Sequence, residues 1–182
     1  PLFQRRKVKN RLIILITADK GLAGAYNTNV LRKYIELLQR DDAKGVGNLT
    51  ITVGRKASQF ASRLKDTSIA GSYDDMPDHP AGTTFHAILS TACGMYERKE
   101  VDVVSVVYTQ FVNSITQQAQ LMRLLPAGTD ILTDPQEVSN EVSDARFEPS
   151  IPEVLNAVTY RLVGSRLFQA LLDSRASEHS MR

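Results

Sequence analysis

The spacing of apolar residues changes segment by segment along the chain, and the changes mark out its elements. Residues 11–17, Arg-Leu-Ile-Ile-Leu-Ile-Thr, form a short apolar run rich in β-branched side chains, closed by a turn at Ala18-Asp19-Lys20-Gly21. Such a run predicts a strand buried on both faces. Val30, Leu31, Tyr34, Ile35 and Leu38 then follow at three- and four-residue spacing, which marks one face of a helix. Asn27 or Asn29 is its expected N-cap, and residues 41–45 end it. The alternation repeats with a strand at 49–53, a helix through Ala57, Phe60, Ala61 and Leu64, and a weaker strand at 67–73. After a loop at 74–82 come a helix through Phe85, Ile88, Leu89, Ala92 and Tyr96 and a valine-rich strand at 101–108. Residues 112–116 read as a turn and 117–125 as one more strand, with no helix between the two strands. The fold class predicted is α/β: a Rossmann-like, mostly parallel sheet of about five strands with helices on both faces, ending in an antiparallel hairpin.

Beyond Pro126 the pattern differs. Residues 127–149 are polar and acidic without a period, and predict a linker crossing the surface. Ser150 and Glu153 have capping-box spacing, and Pro152 falls in the first turn, where its missing N–H costs little. From there a long helix is predicted through Arg182, interrupted only by Gly164, with Val154, Val158, Leu162, Leu167, Phe168, Leu171 and Leu172 on its apolar side. A helix over 150–182 makes a rod of about 48 Å, the length of a coiled-coil or helical extension. Its first half is expected to pack on the α/β domain and its end to fray. No stop signal precedes Arg182 and the chain begins at Pro1, so it reads as a piece of a longer protein. The organisation is thus a basic lead-in at 1–10, an α/β domain at 11–126, an acidic linker at 127–149 and the start of a long helix at 150–182.

Composition narrows the class. The 182 residues are 42% hydrophobic and 23% charged, enough for a packed core. Lys and Arg number 22 against 20 Asp and Glu, which excludes a strongly basic nucleic-acid binder. Charge is uneven: Arg5, Arg6, Lys7, Lys9 and Arg11 lead in without an acid, and 130–153 holds seven acids against Arg146. Both stretches are expected to be solvated. Cys93 is the one cysteine, so disulfides within the chain and CxxC sites are excluded, and a buried, inert thiol is expected. No apolar run reaches the roughly 18 residues of a membrane span.

Candidate chemistry is sparse. The strand–turn–helix at 17–24 carries Gly21 and Gly24, and glycines at such a place let backbone amides approach an anion. Its G-x-x-G spacing lacks the third glycine of the dinucleotide fingerprint and the Gly-Lys-Ser/Thr of a P-loop, and fits a structural turn as well. Asp74, Asp75, Asp78 and His79 collect metal-binding types without ligand spacing, and His86 and His179 lack a crevice. No catalytic residue, cofactor site or metal site is expected from these residues.

Two segments carry a resemblance. Residues 19–30, Asp-Lys-Gly-Leu-Ala-Gly-Ala-Tyr-Asn-Thr-Asn-Val, are similar to the Asp-Arg-Gly-Leu-Cys-Gly-Gly-Tyr/Phe-Asn signature of the γ subunits of rotary F-type ATP synthases. Residues 175–182, Arg-Ala-Ser-Glu-His-Ser-Met-Arg, resemble the start of that family's Ala-Ser-Glu-His/Gln-Ala-Ala-Arg signature. Leu124-Leu125-Pro126 and Phe147-Glu148-Pro149 fit as well. Lys20, Ala23 and Ala25 depart from the family's Arg, Cys and Gly, and Lys20 lacks the bidentate fork of an arginine. The resemblance implies a Rossmann-like domain with two shaft helices, most of both lying outside this chain. It implies a non-catalytic rotor that couples proton-driven rotation of a membrane ring to ATP synthesis or hydrolysis. The implied partners are the α, β and ε subunits and the c-subunit ring, with no nucleic acid and no cofactor. The implied location is peripheral, on the cytoplasmic side of a bacterial inner membrane or on a mitochondrial inner or thylakoid membrane. Its candidate interaction residues are Asp19, Lys20, Gly21, Leu22, Gly24, Tyr26, Asn27, Ser177, Glu178, His179 and Arg182. The other reading is a small nucleotide- or anion-binding domain that uses the 17–24 turn.

Overall fold

A computed structural model describes residues 2, 4–17, 25–65, 67–75, 82–128 and 151–180. Strands β1 (Asn10–Ile16), β2 (Gly47–Val53), β3 (Ser68–Tyr73), β4 (Val103–Phe111) and β5 (Gln117–Leu125) form one sheet in the order β3-β2-β1-β4-β5. β1 pairs parallel with β2 and β4, β2 pairs parallel with β3, and β4 pairs antiparallel with β5. Helices α1 (Ala25–Ala43), α2 (Arg55–Ser62), α3 (Thr83–Glu97) and α4 (Ile151–Ser180) complete the described elements.

The central strand shows why the sheet must be covered twice. Leu12 through Ile16 are all fully buried, and successive side chains of a strand point to opposite faces. Leu12, Ile14 and Ile16 join Val104 and Val106 under α3 and α4. Ile13, Leu15 and Val107 meet Val30, Tyr34 and Leu37 of α1 and Ala57 of α2. The chain therefore winds outward from β1 to β3 over one face and returns to β4 over the other. The order in which strands are added reverses between β1 and β4, which run parallel.

Three expectations are corrected. Asn27 and Asn29 lie inside α1, which begins at Ala25, so neither is its N-cap. α4 packs on the domain from Thr159 through Glu178, so the contact is not confined to its first half. Val163, Leu167, Ala170, Leu171, Ser174, Ser177 and Glu178 are buried, while Val158 is 42% exposed. At Gly164 the helix comes close to α3: a Cβ there would stand 3.0 Å from Leu89 Cδ2. The glycine that looked like a break is where the two helices close on each other, with Phe85 and Phe168 edge to face one turn away, 5.4 Å between centroids.

The basic lead-in is anchored at Leu2, Arg6 and Arg11, while Arg5, Lys7 and Lys9 are exposed. Leu2 is buried and its carbonyl accepts from the Ala127 N–H at 2.7 Å. The Arg6 guanidinium pairs with Asp102 at 3.2 Å, donates to the carbonyls of Tyr96 and Val101, and lies 4.2 Å from the Tyr96 ring centroid. Arg11 pairs with the buried Asp41 at 2.7 Å and donates to Ser105 Oγ. These arginines are held because buried carboxylates and carbonyls need donors. Pro126, Ala127 and Gly128 are buried too, so the chain does not reach the surface directly after β5. Most of the predicted linker and Ser150 of the predicted capping box lie outside the described residues.

Candidate functional site

The carboxyl edge of the sheet at the β1–β4 boundary is where a doubly wound fold places its ligands. β1 runs out at Thr17. Its N–H donates to Val53 O at 2.9 Å, and its hydroxyl accepts from the Ala57 N–H at 2.8 Å. Gly54 precedes α2 and has no side chain to cap it, so a threonine from the neighbouring strand caps the helix instead. Gly54 sits at φ +103°, and a Cβ on it would lie 2.5 Å from Thr17 O.

Two positions beyond the last β1–β4 pair, Leu15 with Val107, the Thr109 N–H of β4 donates to Ser174 Oγ of α4 at 3.3 Å. A helix side chain thus takes an amide that β1 no longer reaches. One turn further along α4, Ser177 and Glu178 are buried at the same edge. Glu178 is partnered, as a buried carboxylate must be. Ser177 Oγ and Thr109 Oγ1 are buried without a hydrogen-bond partner.

The predicted site residues are therefore placed unevenly. Ser177 and Glu178 are buried on α4 within one turn of Ser174, and His179 is exposed. Tyr26 and Asn27 lie in the first turn of α1. Asp19, Lys20, Gly21, Leu22, Gly24 and Arg182 fall outside the described residues, as do residues 76–80 of the acidic loop, whose Asp74 and Asp75 are exposed. Among the described residues no group of three metal-ligating side chains gathers, and no helix is long and apolar enough to cross a membrane.

Among the described residues, two grooves lie away from this edge. A groove of about 600 Å³ runs between α3 and α4 over Phe85, Leu89, Tyr160, Gly164 and Phe168. A second, of about 340 Å³, opens between Leu38, Asp42, Asn48, Leu64 and Lys65 at the opposite end of the sheet. His86 is exposed on the rim of the first, with Nε2 3.3 Å from Ser90 Oγ.

Cys93 is buried in α3, and its thiol is pushed up to about 12, by burial first and then by the Glu97 charge. Thiolate is the reactive form. We expect a thiol reagent at pH 8 to leave the folded protein unlabelled and to modify one equivalent after denaturation. Labelling of the native protein within minutes would contradict this burial.

Sequence reasoning missed the residues that fix this framework: Thr17 as a remote cap, Ser174 on the Thr109 amide, and Asp102 and Asp41 as anchors. Each partner is distant in sequence, and the α/β period alone does not show it.

Comparison with known proteins follows the same frame. The family model described as ATP synthase matches residues 1–182. The ATP synthase gamma chain of Staphylococcus saprophyticus is 32% identical over all of this chain and 62% of its own length. That of Pelotomaculum thermopropionicum is 35% identical over all of this chain and 61% of its own. The chain thus spans about three fifths of these relatives. Among solved structures, the central stalk and c-ring of the Tetrahymena thermophila mitochondrial ATP synthase superposes with a TM-score of 0.68 at 23% identity, covering 98% of this chain and 75% of that one. The rotor of the Euglena gracilis mitochondrial enzyme gives 0.62 at 16% identity, over 96% and 64%. Matched from end to end, and folded as those stalks are, the chain belongs to the ATP synthase gamma-chain family.

Proposed function

We propose that this chain is the globular foot of a central-stalk γ subunit together with the lower part of one shaft helix. Its role is to couple proton-driven rotation of a membrane ring to ATP synthesis or hydrolysis in a catalytic hexamer, without catalysing either itself. The observation that carries the reading is the match of the whole chain to the family. The geometry supports it. α4 has 30 residues, a rod of about 45 Å, and is bolted to the sheet through Val163, Leu167, Leu171 and the Ser174–Thr109 bond. A rod that carries torque needs such a rigid attachment, because packed elements move between discrete states rather than bending continuously. The same attachment weakens the nucleotide-binding reading, since Ser174 already holds an amide at the edge where a dinucleotide would sit.

In this reading the partners are the α, β and ε subunits and the c-subunit ring. Asp19, Lys20, Gly21, Leu22, Gly24, Tyr26, Asn27, His179 and Arg182 are interaction or framework positions, with Ser177 and Glu178 seated in the sheet edge. The location is peripheral, on the face of the membrane that carries the catalytic hexamer. The test is affinity purification of the tagged full-length protein from detergent-solubilised membranes. Recovery with α, β, ε and c subunits, and ATP-driven proton pumping after reconstitution, is the expected result. Recovery alone, with saturable binding of ATP or a dinucleotide, would overturn it.

A further inference from the structure

Residues 4–8 form neither helix nor strand, yet the lead-in is pinned at Leu2, Gln4, Arg6 and Lys9. The Leu2 carbonyl accepts from the Ala127 N–H, and the Gln4 carbonyl from the Tyr96 hydroxyl. Arg6 Nε donates to Asp102 Oδ1, and Arg6 Nη2 donates to the carbonyls of Tyr96 and Val101. Asp102 Oδ2 accepts from the N–H groups of Lys9 and Asn10. An irregular segment at the start of a domain is ordered only where its bonds outweigh the entropy of fixing it. The Arg6 and Asp102 side chains are 17% and 12% exposed, and charge-assisted bonds between such partly buried groups are stronger than neutral ones.

Tyr96, Val101 and Asp102 lie between the last turn of α3 and the start of β4. β4 is also held near its far end, where the Thr109 N–H donates to Ser174 Oγ of α4. Asp102 and Thr109 are about 23 Å apart along an extended chain. Between them β4 is bonded to β1 on one side and to β5 on the other, so it cannot slide without breaking two ladders. The lead-in and the rod are thus tied to opposite ends of one stiff strand. Asp41 offers a comparison of similar chemistry. It holds Arg11 of β1 at 2.7 Å from the end of α1 and, among the described residues, its side chain bonds nothing at 2–10.

We propose that Arg6 and Asp102 are positioning residues for rotary coupling: they lock the lead-in to the start of β4, so that a turn entering through the lead-in reaches α4 along that strand without slip. This rests on the rotor reading above and on the shaft helix that it implies ahead of β1. The Asp102 carboxylate suits the role because it joins the lead-in twice, at the Arg6 side chain and at the Lys9–Asn10 backbone. A pull on the lead-in loads those bonds together, so none breaks alone. Without the pair, the stretch between Gln4 and Lys9 has slack. Part of each turn is then taken up there, since packed elements pass motion on only where their contacts hold discrete arrangements.

The test measures protons pumped per ATP hydrolysed by the assembled enzyme in membrane vesicles, built with the full-length chain. Arg6→Met and Asp102→Ala are expected to keep ATP hydrolysis and to lower that ratio about twofold or more against an opposing proton gradient. Asp41→Ala takes a buried carboxylate from an arginine in the same way. It is expected to lower the melting temperature and to leave the ratio at its wild-type value. Arg6→Lys keeps the charge but brings one nitrogen where the guanidinium uses two. It stands in for a variant that fails to assemble, with a fall in the ratio again expected. An unchanged ratio in the assembled Arg6 and Asp102 variants overturns the proposal and leaves the rotor reading standing. An equal fall with Asp41→Ala, or failure of all three lead-in variants to assemble, overturns it in favour of a pair that serves folding alone. A wild-type chain that supports no ATP-driven pumping overturns both readings.

Discussion

Gly54→Ala is expected to destabilise the protein by about 4 kcal/mol, from two causes of similar size. The position has φ +103° and ψ 146°, a region that side-chain-bearing residues enter only at a cost of about 1–3 kcal/mol. The added Cβ would also stand 2.5 Å from Thr17 O, a backbone atom with nowhere to go, because the Thr17 N–H is tied to Val53 and its hydroxyl caps α2. Overpacking of that kind costs about 1–3 kcal/mol more. For a chain of this length the sum lowers the melting temperature by about 10 °C. Gly45→Ala separates the causes: Gly45 has φ +71° but nothing within 4 Å of a Cβ, so only the backbone cost applies. Urea denaturation of both variants decides the matter. Equal losses would mean that the Gly54–Thr17 approach is not the constraint described.

This pair also shows what the sequence makes legible. β1 is announced by five adjacent apolar residues, and the β4–β5 hairpin by the fact that only residues 112–116 separate two strand patterns, too few for a helix. Local period and loop length suffice there. The cap on α2 is different in kind. Thr17 and Ala57 are 40 positions apart, and nothing local says that a strand-end hydroxyl will serve a helix whose own cap is glycine. Gly164 carries an ambiguous signal, since a glycine in a helix reads as a weakness unless the opposing Leu89 is known. The candidate edge was legible only through its resemblance to known signatures. Ser174, Ser177 and Glu178 are polar residues on a helix, yet their spacing continues the buried stripe of Val163, Leu167 and Leu171. They are buried because α4 packs along β4, where Ser174 takes the Thr109 amide, and their polar character alone does not reveal that.

Asp102→Ala is expected to cost about 3 kcal/mol at pH 7 and progressively less as the pH falls below about 4. The carboxylate accepts from Arg6 Nε at 3.2 Å and from the backbone N–H groups of Lys9 and Asn10 at 2.9 and 3.1 Å. It thereby holds the lead-in against the start of β4. Removing it leaves the largely buried Arg6 guanidinium with two carbonyls and the Tyr96 ring but no counter-charge, and loss of one member of such a pair carries a penalty of about 3 kcal/mol. The sign of the pH dependence follows from the groups around the carboxyl. Burial raises its pKa, but the two backbone donors, the Arg6 hydrogen bond and the Arg6 charge outweigh burial, and the net shift is downward. A carboxyl with a lower pKa when folded stabilises the native state fully above its unfolded value, near 3.9. That contribution disappears as pH falls through the lower, folded value, because both states then bind the proton. The stability difference between wild type and Asp102→Ala should therefore be flat from pH 7 to about pH 5 and shrink steadily below about pH 4. Arg6→Met should reproduce part of the loss, and the double variant should cost less than the sum of the two singles by about 1–2 kcal/mol, because the two side chains share one interaction. A difference that stays constant down to pH 2.5, or singles that add, would show that Asp102 acts through its bulk and not through its charge.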